Sequence, residues 1–389
     1  DHAGETALGP QPEIRRMLVP IGPVAVFGSS NFPFAFSVAG GDTASALAAG
    51  NPVVIKAHGS HPLTSRASFD VLSAAAAAQG APEGTISIVY GTQSGRDLVA
   101  DPRIRAVGFT GSLSAAQSLL AIIDERDTPI PFYGELSSLN PLVITQAAAE
   151  ERADELAAGL FGSFTLGAGQ FCTKPGIAFV PTGAAGDAVL DGLVTRSRDA
   201  RAQVLLNNRI ASSFDEIRAR LITEGRATVA VEGVAHGFTA TPSVLVIEAG
   251  DLTASATEEA FGPLVLVVRY SGLDAVYSAL DCIPDSLTAT ILHAPADDIT
   301  ALTRELAPRA GRLVFNSYPT GVRVSWGQQH GGPWPATNSL HTSVGVTAIR
   351  RFLRPLAWQN APEAVLPPEL REGAAGIPRR VDGVLTLPA

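Results

Sequence analysis

The sequence has few cysteines, few charged residues and no long apolar run, and each shortage excludes a class of protein. Its two cysteines exclude a disulfide-stabilised scaffold and a four-cysteine zinc site. Charged residues make up 17% of the 389 residues and hydrophobic residues 46%, which excludes intrinsic disorder. No apolar run approaches the roughly 18 residues that a membrane-spanning helix needs. The net charge of −9 disfavours nucleic acid and anionic membranes as partners, so the composition indicates a globular α/β protein.

Methionine and lysine are also scarce. The first residue is Asp1 and the only methionine is Met17, so we expect the chain to have been processed or truncated. No charged segment followed by an apolar one precedes the globular part, and we therefore predict no signal peptide and a cytoplasmic location. Of the 28 basic residues only Lys56 and Lys174 are lysines, which makes each of them a candidate for a specific role.

Short apolar runs alternate with alanine-rich stretches from Val24 onward. The runs are rich in Val, Ile or Phe and end in small or polar residues, a pattern typical of buried parallel strands. The stretches between them have the length of helices, so the alternation predicts a doubly wound sheet with right-handed crossovers. The predicted strands are Val24–Gly28, Pro52–Ala57, Thr85–Gly91, Ala106–Ser112 and Pro131–Leu136, with helices over Ser37–Ala49, Pro62–Gln79 and Ser114–Arg126.

A second α/β region follows in the chain. Its long segment Tyr318–Thr342 is rich in Gly, Pro, Trp and His and predicts an ordered loop, which in a compact protein is usually functional. Val381–Pro388 predicts a terminal strand that pairs outside its own domain. The predicted helices are Ala147–Leu160, Asp187–Ser197 and Ser213–Thr223, and the predicted strands are Ala178–Pro181, Leu264–Tyr270, Leu287–His293 and Arg312–Ser317.

Several motifs of common enzyme classes are missing from the sequence. There is no H-E-x-x-H zinc motif, no G-x-S-x-G nucleophile elbow and neither of the usual glycine-rich nucleotide loops. His58 and His61 lie three residues apart without a nearby cysteine or carboxylate, so we expect no metal. A nucleotide, if one is bound, must use another kind of loop.

Cys172 is the candidate nucleophile. It lies in Gly-Ala-Gly-Gln-Phe-Cys-Thr-Lys-Pro, where the glycines allow backbone N–H groups to approach a reacting centre. Lys174 follows two residues later, and a cation on the same face would favour the thiolate. The alternative is an inert buried thiol, which is the favoured interpretation for Cys282.

Glu135 is a candidate base because it lies at the carboxyl end of a predicted strand, and Asn31 is a candidate oxyanion donor because it follows one. A carboxylate at the carboxyl end of a parallel strand lies where open α/β sheets bind ligands, and burial there would raise its pKa. Asn31 could donate to an oxyanion or form an ordinary turn, and Glu135 could equally be a helix cap or a surface carboxylate. Gly111 and Ser112 open a helix whose N–H groups could meet a phosphate.

Taken together and in order, these segments resemble the aldehyde dehydrogenase superfamily. The order is Asn-Phe-Pro, Val-Ile-Lys, Gly-Phe-Thr-Gly-Ser, Glu-Leu, Gly-Gln-x-Cys and Glu-Glu-Ala-Phe-Gly-Pro at 258–263, and the match runs from about Arg15 to the C-terminus. Segments 15–20, 36–43 and 330–337 are similar to the branch that acts on α-ketoglutarate semialdehyde (2,5-dioxopentanoate). The resemblance implies a Rossmann-like doubly wound cofactor domain, an α/β catalytic domain and a small oligomerisation strand region.

The resemblance also implies residue roles. Cys172 would attack the aldehyde, Asn31 and the Cys172 N–H would hold the oxyanion, and Glu135 would activate the water that releases the acid. NADP is the expected cofactor, with NAD possible, because many members carry a glutamate where this chain has Gly59. The cofactor contacts implied by the resemblance are Lys56, Ser60, Gly111, Ser112, Glu259 and Phe261.

The substrate pocket is expected to combine apolar walls with a group that binds a carboxylate. Phe32 and Phe171 flank the proposed site and would supply the walls. Arg323 and His330 in the long loop are the candidates for the carboxylate, although both could equally be structural loop residues.

The resemblance divides the chain into five segments and predicts a homo-oligomer, either a dimer or a tetramer. Only 23 residues precede Val24, so we expect a shortened N-terminus and altered oligomer contacts. The expected segments are a partial oligomerisation segment 1–23, a dinucleotide-binding domain 24–136, a catalytic domain 137–336, a return to the cofactor domain 337–370 and a C-terminal oligomerisation strand 371–389.

Two alternative functions remain open at this point. A CoA-acylating aldehyde dehydrogenase would pass its thioester to a thiol instead of to water, and the presence of Glu135 argues against it. A catalytically degenerate member would serve in assembly or ligand binding, and the intact set of Asn31, Glu135, Cys172 and Glu259 argues against that.

Overall fold

A parallel five-stranded sheet lies in the first part of the computed structural model, which describes residues 1–374 and 376–388. Its strands are hydrogen-bonded in the order β6-β5-β4-β7-β8, and each coincides with a predicted strand that is shortened at its ends. The elements are β1 Gly4–Thr6, β2 Gly9–Gln11, β3 Ile14–Pro20, β4 Val24–Phe27, α1 Gly41–Ala48, β5 Val53–Lys56, α2 Pro62–Ala78, β6 Ile86–Val89, α3 Thr92–Ala100, β7 Ala106–Thr110, α4 Leu113–Asp124 and β8 Phe132–Glu135.

The loops after β4, β5 and β7 meet at one edge of this sheet. β4 is the central strand. β5 and β6 are added to the sheet on one side of it and β7 and β8 on the other, so the strand order reverses at β4. In open α/β sheets, ligands bind outside the carboxyl ends of the strands at such a switch point. The topology therefore places Asn31, Lys56 and Ser112, which follow or end these three strands, at the edge where a ligand is expected.

A seven-stranded sheet follows, in the order β12-β15-β16-β10-β9-β17-β18, with only β12 antiparallel to its neighbour among the described residues. The α/β fold class is thereby confirmed. The elements are β9 Leu142–Ile144, α5 Gln146–Thr165, β10 Ile177–Pro181, α6 Ala184–Arg198, β11 Gln203–Val204, α7 Asn208–Thr223, β12 Thr228–Val231, β13 Ala235–His236, β14 Thr239–Ala240, β15 Ser243–Glu248, β16 Leu264–Tyr270, α8 Leu273–Leu280, β17 Ser286–Leu292, α9 Thr300–Leu306 and β18 Ala310–Phe315.

Both faces of the large sheet are covered by apolar cores. In β10, Ile177 and Phe179 belong to one core cluster, while Ala178 and Val180 belong to the cluster on the opposite face. Successive side chains of a strand point to opposite faces, so a strand buried on both faces is apolar at every position. This explains the continuous apolar runs of β9, β10 and the first five residues of β16, which show no alternation.

Three small antiparallel pairs and one three-stranded antiparallel sheet complete the fold in the described part of the chain. β1 pairs with β2, β3 pairs with β19 Leu353–Gln359, and β20 Arg379–Val381 pairs with β21 Val384–Thr386, while β11, β14 and β13 form the three-stranded sheet. The predicted terminal strand therefore forms a hairpin with its neighbour, and its pairing outside its own domain stays a prediction. The division into five segments also stays a prediction, and Ala375 and Ala389 of the last segment lie outside the described residues. None of the helices in the described part of the chain is long and apolar enough to cross a membrane.

The long loop between β18 and β19 is ordered, as predicted, and packs on the end of β8. Leu136 N–H donates to the carbonyl of Ala336 at 2.9 Å, and Gly134 N–H donates to Asn338 Oδ1 at 2.9 Å. Glu135 forms a β-bridge with Thr337 between these two bonds. The loop is thereby fixed against the strand that carries the predicted base.

Candidate active site

Three side chains that are far apart in sequence converge in one cluster. Glu135 ends β8, Cys172 follows the helical segment after α5, and His330 comes from the long loop. His330 Nε2 lies 2.9 Å from Glu135 Oε1 and 3.5 Å from Cys172 Sγ. Glu135 and His330 are fully buried, whereas Cys172 is partly exposed. The predicted nucleophile and base are thus neighbours, joined by one imidazole nitrogen.

Asn140 holds the backbone on which Cys172 lies. Its Nδ2 donates to the carbonyl oxygens of Cys172 at 2.8 Å and Lys174 at 2.9 Å. Its Oδ1 accepts from the Thr288 N–H at 3.1 Å, so the buried amide ties the cysteine loop to β17. Sequence reasoning missed this residue, although an asparagine directly before Pro141 at a strand end is a signal for a side chain that bonds backbone groups.

Gly169 is needed where the cysteine loop meets the loop that contains Glu259. It has φ +67°, and a Cβ built there would lie 2.2 Å from the Gly262 carbonyl oxygen. Only glycine adopts this backbone conformation with so close a contact. The two loops therefore pack backbone against backbone, which places the candidate nucleophile beside a candidate cofactor residue.

Lys174 has a different role from the one predicted. Its buried Nζ donates to the carbonyl oxygens of Ala260 at 2.7 Å, Leu264 at 3.1 Å and Gly262 at 3.2 Å. The prediction that it lies on the same face as the Cys172 thiol is wrong, because its ammonium is directed at these carbonyl oxygens. Burial and the nearby negative Glu135 raise the pKa of that thiol well above its usual value. Lys174 instead fixes the loop at 260–264.

The electrostatics of Glu135 also differ from the prediction. Burial raises the pKa of this carboxyl group, as expected, but the charge of His330 and hydrogen bonds from His330, Ser343 and Cys172 together lower it to about 2. The Ser343 Oγ donates to Glu135 Oε2 at 2.6 Å. Glu135 is therefore an ionised carboxylate in this arrangement, and a base that is held by donors on both oxygens.

Ser343 is a further residue that sequence reasoning missed. Its carbonyl oxygen accepts from Nη2 of the buried Arg351 at 3.3 Å, and the same nitrogen lies 2.6 Å from Asp42 Oδ1. The Asp42–Arg351 ion pair thus joins α1 to the segment that contacts Glu135. No local sequence pattern marks these partners, since they come from distant parts of the chain.

Asn31, Phe32 and Phe171 line one open cleft of about 440 Å³. Asn31 Nδ2 donates to the Gln170 carbonyl at 2.8 Å, two residues before the candidate nucleophile. The rings of Phe32 and Phe171 meet edge to face at 5.1 Å between centroids. The structure therefore brings the predicted amide donor and both predicted aromatic walls to the same cleft.

Lys56 and Ser60 lie together after β5 in a basic environment. Burial lowers the pKa of the half-buried Lys56, and burial together with the charges of Lys56, His61 and Arg209 lowers the pKa of His58 to about 4. Asn207 Nδ2 donates to the Ser60 Oγ at 2.7 Å. An anionic group bound here would meet positive charge and hydroxyl or amide donors.

Gly111 and Ser112 lie at the exposed N-terminus of α4, directly after β7. The Ser112 Oγ accepts from Ala115 N–H at 3.3 Å and caps the helix. The remaining N–H groups of a first helical turn have no partner within the helix and attract anions. This geometry fits the phosphate role that the sequence predicts for the segment.

Glu259 lies on the other side of the cysteine loop. Its Oε2 accepts from Ser138 N–H at 3.2 Å. Burial raises the pKa of this carboxyl group to about 7, although the nearby Lys174 ammonium opposes that shift. Phe261 follows two residues later and is half-buried. Both residues belong to the loop that packs against the cysteine loop at Gly169.

These groups fit a dinucleotide. A helix N-terminus and a lysine lie at the carboxyl ends of β7 and β5, the two parallel strands on either side of β4, where such cofactors place their phosphates and ribose. Glu259 could bind the second ribose, because its carboxylate is held close to the cysteine loop. The residues that would hold NAD or NADP are therefore present on both sides of the candidate nucleophile.

Arg323 and His330 are placed differently in the long loop. Arg323 is exposed, whereas His330 is buried and bonded to the cluster. The Nε2 of His330 is already shared between the candidate base and the candidate nucleophile. That Arg323 and His330 bind a substrate carboxylate stays a prediction.

A doubly wound parallel sheet whose ligand edge lies near a thiol and a carboxylate is typical of dinucleotide-dependent enzymes. The chain belongs to the aldehyde dehydrogenase family, whose model matches residues 3–334. It is therefore an NAD(P)-dependent aldehyde dehydrogenase, and the predicted family is confirmed.

Two curated relatives and one solved structure illustrate the similarity. The chain is 39% identical to an alpha-ketoglutaric semialdehyde dehydrogenase of Acinetobacter baylyi, over 97% of this chain and 73% of the relative. It is 43% identical to alpha-ketoglutaric semialdehyde dehydrogenase 2 of Azospirillum brasilense, over 96% and 73%. The crystal structure of 1-pyrroline-5-carboxylate dehydrogenase from Thermus with bound NAD shares the fold, with a TM-score of 0.75 and 22% identity over 89% of this chain and 67% of that one.

Proposed function

We propose that this protein oxidises α-ketoglutarate semialdehyde, or a closely similar aldehyde that carries a carboxylate, to the corresponding acid with NADP as the preferred cofactor. The observation that carries the reaction is the contact of Cys172 and Glu135 with a single nitrogen of His330. The substrate class is supported by the names of the two curated relatives, which are 39% and 43% identical to the chain.

In the first step Cys172 gives up its thiol proton and its sulfur bonds to the aldehyde carbon. The pKa of the thiol is raised by burial and by Glu135, so the proton must be taken by a nearby acceptor as the bond forms. Asn31 has a second N–H beside the one used on Gln170, and that donor together with the Cys172 N–H would hold the oxyanion. The residues at the sheet edge would hold a nicotinamide, which would supply the redox chemistry as acceptor of the hydride that leaves the sulfur-bound carbon. Loss of that hydride, and of the proton on the oxygen, converts the adduct on Cys172 into a thioester.

In the second step water releases the acid from the cysteine thioester. Glu135 accepts the proton of the attacking water, and the cysteine sulfur leaves as the acyl bond breaks. Glu135 has donors on both oxygens, from His330 at 2.9 Å and Ser343 at 2.6 Å. These bonds keep the carboxylate ionised and oriented toward the nucleophile, so His330 and Ser343 act as positioning residues in this proposal.

The preference for NADP is proposed from the region after β5. Gly59 stands where many family members carry a glutamate, and the Lys56 and Arg209 side chains make the surroundings positive. The 2′-phosphate of NADP would therefore be attracted by these positive charges and would not be repelled by a carboxylate at position 59.

Replacing Gly59 by glutamate should reverse this preference. A Cβ at Gly59 meets no atom within 4 Å, so the side chain fits without displacing the fold. We expect the ratio of kcat/KM for NADP to that for NAD to fall by about 10-fold or more, because a new carboxylate repels the phosphate by ~1.4 kcal/mol or more. Gly250→Glu, at another open position, is the matched control and should leave the ratio unchanged. An unaltered ratio in Gly59→Glu would contradict the proposal.

The substrate is tested with an aldehyde panel. α-Ketoglutarate semialdehyde and an aldehyde of equal length without the carboxylate are each supplied with NAD or NADP, and reduced nicotinamide and free acid are measured. We expect a kcat/KM about 100-fold higher for the carboxylate-bearing aldehyde. A site built to bind the carboxylate disfavours the other aldehyde, because its own polar groups are then left unpaired. Equal rates for the two aldehydes would contradict the substrate assignment. Acyl-CoA formed in preference to acid when CoA is added would contradict the hydrolytic reaction.

Assembly and location complete the proposal. The β3–β19 pair is a two-stranded sheet with unpaired edges among the described residues, which supports a homo-oligomer that pairs through such edges. A catalytic thiol must stay reduced, which supports the cytoplasm as the location. Light scattering on the purified protein measures its state of assembly, and the mass of a single chain would contradict the homo-oligomer.

A further inference from the structure

We infer that Cys172, His330 and Glu135 form a binding site for a thiophilic divalent cation, Zn²⁺ above all, and that the bound cation blocks the dehydrogenase. Within the described residues this is the one group of three such side chains whose ligand atoms all lie within 4.8 Å of one another. This inference departs from the expectation, drawn from the sequence motifs, that no metal is bound.

The spacing of the three atoms suits a tetrahedral zinc site. Typical zinc–ligand bonds place sulfur and nitrogen about 3.6 Å apart and nitrogen and oxygen about 3.4 Å apart. Here the Cys172 Sγ to His330 Nε2 distance is 3.5 Å and the His330 Nε2 to Glu135 Oε1 distance is 2.9 Å. The sulfur and nitrogen are therefore already at bonding separation, the nitrogen and the carboxylate oxygen have to separate by about 0.5 Å, and the sulfur and a carboxylate oxygen of Glu135 lie within 4.8 Å of each other.

The donor set selects the kind of cation. Thiolate and imidazole ligands favour Zn²⁺ and similar metals, whereas Mg²⁺ and Ca²⁺ prefer oxygen ligands. Three protein ligands leave a fourth position for water, and Cys172 is partly exposed to the solvent on its side of the cluster. We therefore expect one cation per chain, with a water as the fourth ligand.

The ligands are held in place before any metal arrives. Glu135 Oε2 accepts from the Ser343 hydroxyl, and the backbone N–H of His330 donates to Thr342 Oγ1 at 2.9 Å. Asn140 holds the backbone of Cys172. On binding, the Cys172 thiol releases its proton to solvent and His330 offers the lone pair of Nε2, so that Nδ1 carries the ring proton. This tautomer gives up the Nε2–H bond to Glu135, whose oxygen binds the cation instead. Nδ1 is buried and has no hydrogen-bond partner among the described residues, so it carries the ring proton without losing a bond.

A cation held in this way removes both chemical groups of the proposed reaction. The sulfur electrons that would attack the aldehyde and the carboxylate that would activate water both become metal ligands. We expect Zn²⁺ to stop turnover, and a chelator to restore it, because no covalent bond of the protein is broken.

Cobalt titration of the full chain without nicotinamide tests the site without turnover. Co²⁺ takes tetrahedral sites like those of Zn²⁺ and shows a thiolate-to-cobalt charge-transfer absorption when a cysteine binds it. We expect about one equivalent of Co²⁺ to produce this absorption and Zn²⁺ to displace it. Absence of the absorption at saturating Co²⁺ would overturn the inference, whereas an inactive protein that shows it would overturn only the proposed function.

Variants assign the ligands. Cys172→Ser should abolish the charge-transfer absorption, and His330→Asn and Glu135→Gln should each weaken cobalt binding by more than ~100-fold, since even indirect partners of a metal account for 10–100-fold. Cys282→Ser and His341→Asn are the matched controls and should bind as the unaltered protein does. Absorption that persists in Cys172→Ser, or that disappears in a control, would overturn the assignment.

Alkylation of the unaltered protein provides a readout that does not depend on how the variants fold. Iodoacetamide modification of each cysteine is followed by mass spectrometry with and without Zn²⁺. Zinc should slow modification of Cys172 and leave that of Cys282 unchanged, because the Cys282 Sγ bonds the Leu252 carbonyl at 3.4 Å, outside the cluster. Equal rates at Cys172 with and without zinc would contradict the site.

Discussion

Replacing Cys172 by serine should lower kcat for aldehyde oxidation by about 10⁴-fold or more. The hydroxyl of serine is a far weaker nucleophile near neutral pH than a thiol, and an oxygen ester is released less readily than a thioester. The buried surroundings sharpen the difference, because they already raise the pKa of the thiol and would disfavour an alkoxide even more. The measurement is the rate of nicotinamide reduction at saturating aldehyde and cofactor.

Cys282→Ser is the matched control for this change. Cys282 is the only other cysteine in the sequence, and its thiol donates to the Leu252 carbonyl away from the cluster. We expect that variant to retain its rate within about twofold, as is usual for a site away from the chemistry. Unchanged turnover in Cys172→Ser would remove this residue as the nucleophile.

Replacing Glu135 by glutamine should separate the two halves of the reaction. Glutamine has the same shape but cannot accept the proton of water, so the acyl group should remain on Cys172 after the first turnover. We expect a rapid burst of about one reduced nicotinamide per active site, followed by a steady state slowed by about 10²–10⁴-fold. Rapid mixing measures the burst, and intact mass spectrometry measures the acyl group on the chain.

Glu258→Gln is the matched control for that experiment. Glu258 precedes Glu259 and pairs with Arg220 on the exposed surface, with 2.7 Å between Glu258 Oε1 and Arg220 Nη2. The Glu258→Gln variant should show neither the burst nor the slow steady state. If Glu135→Gln gives no burst and no acylated chain, the residue acts before thioester formation and the assignment of water activation is incorrect.

Much of the architecture could be predicted because it follows from local apolar patterns. The prediction for Leu264–Tyr270 agrees with the structure at both ends, since that strand is apolar except at Arg269 and is buried at every position. β9 was not predicted because its three residues are too few to form a pattern. α3 was not predicted because its segment, Thr-Gln-Ser-Gly-Arg-Asp-Leu-Val-Ala, contains a glycine and few apolar residues.

The chemical groups of the candidate site could be recognised from the sequence. A cysteine after glycines, a glutamate after a strand and an asparagine after another strand were each ambiguous alone, and their order pointed to one family. The structure places Glu135 and Cys172 around one nitrogen of His330. Residue types and their order along the chain were therefore enough to indicate the reaction class.

Tertiary structure alone decided which groups each residue contacts. Lys174, two residues from the nucleophile, bonds carbonyl oxygens of another loop, while His330, more than 150 residues away, reaches the Cys172 sulfur. Asn140 and Ser343 became functional candidates only when their partners were known. The sequence by itself determined the fold class and the chemical groups, because these depend on local patterns. Distances, burial and pKa values depend on how separate segments pack, and only the folded chain establishes them.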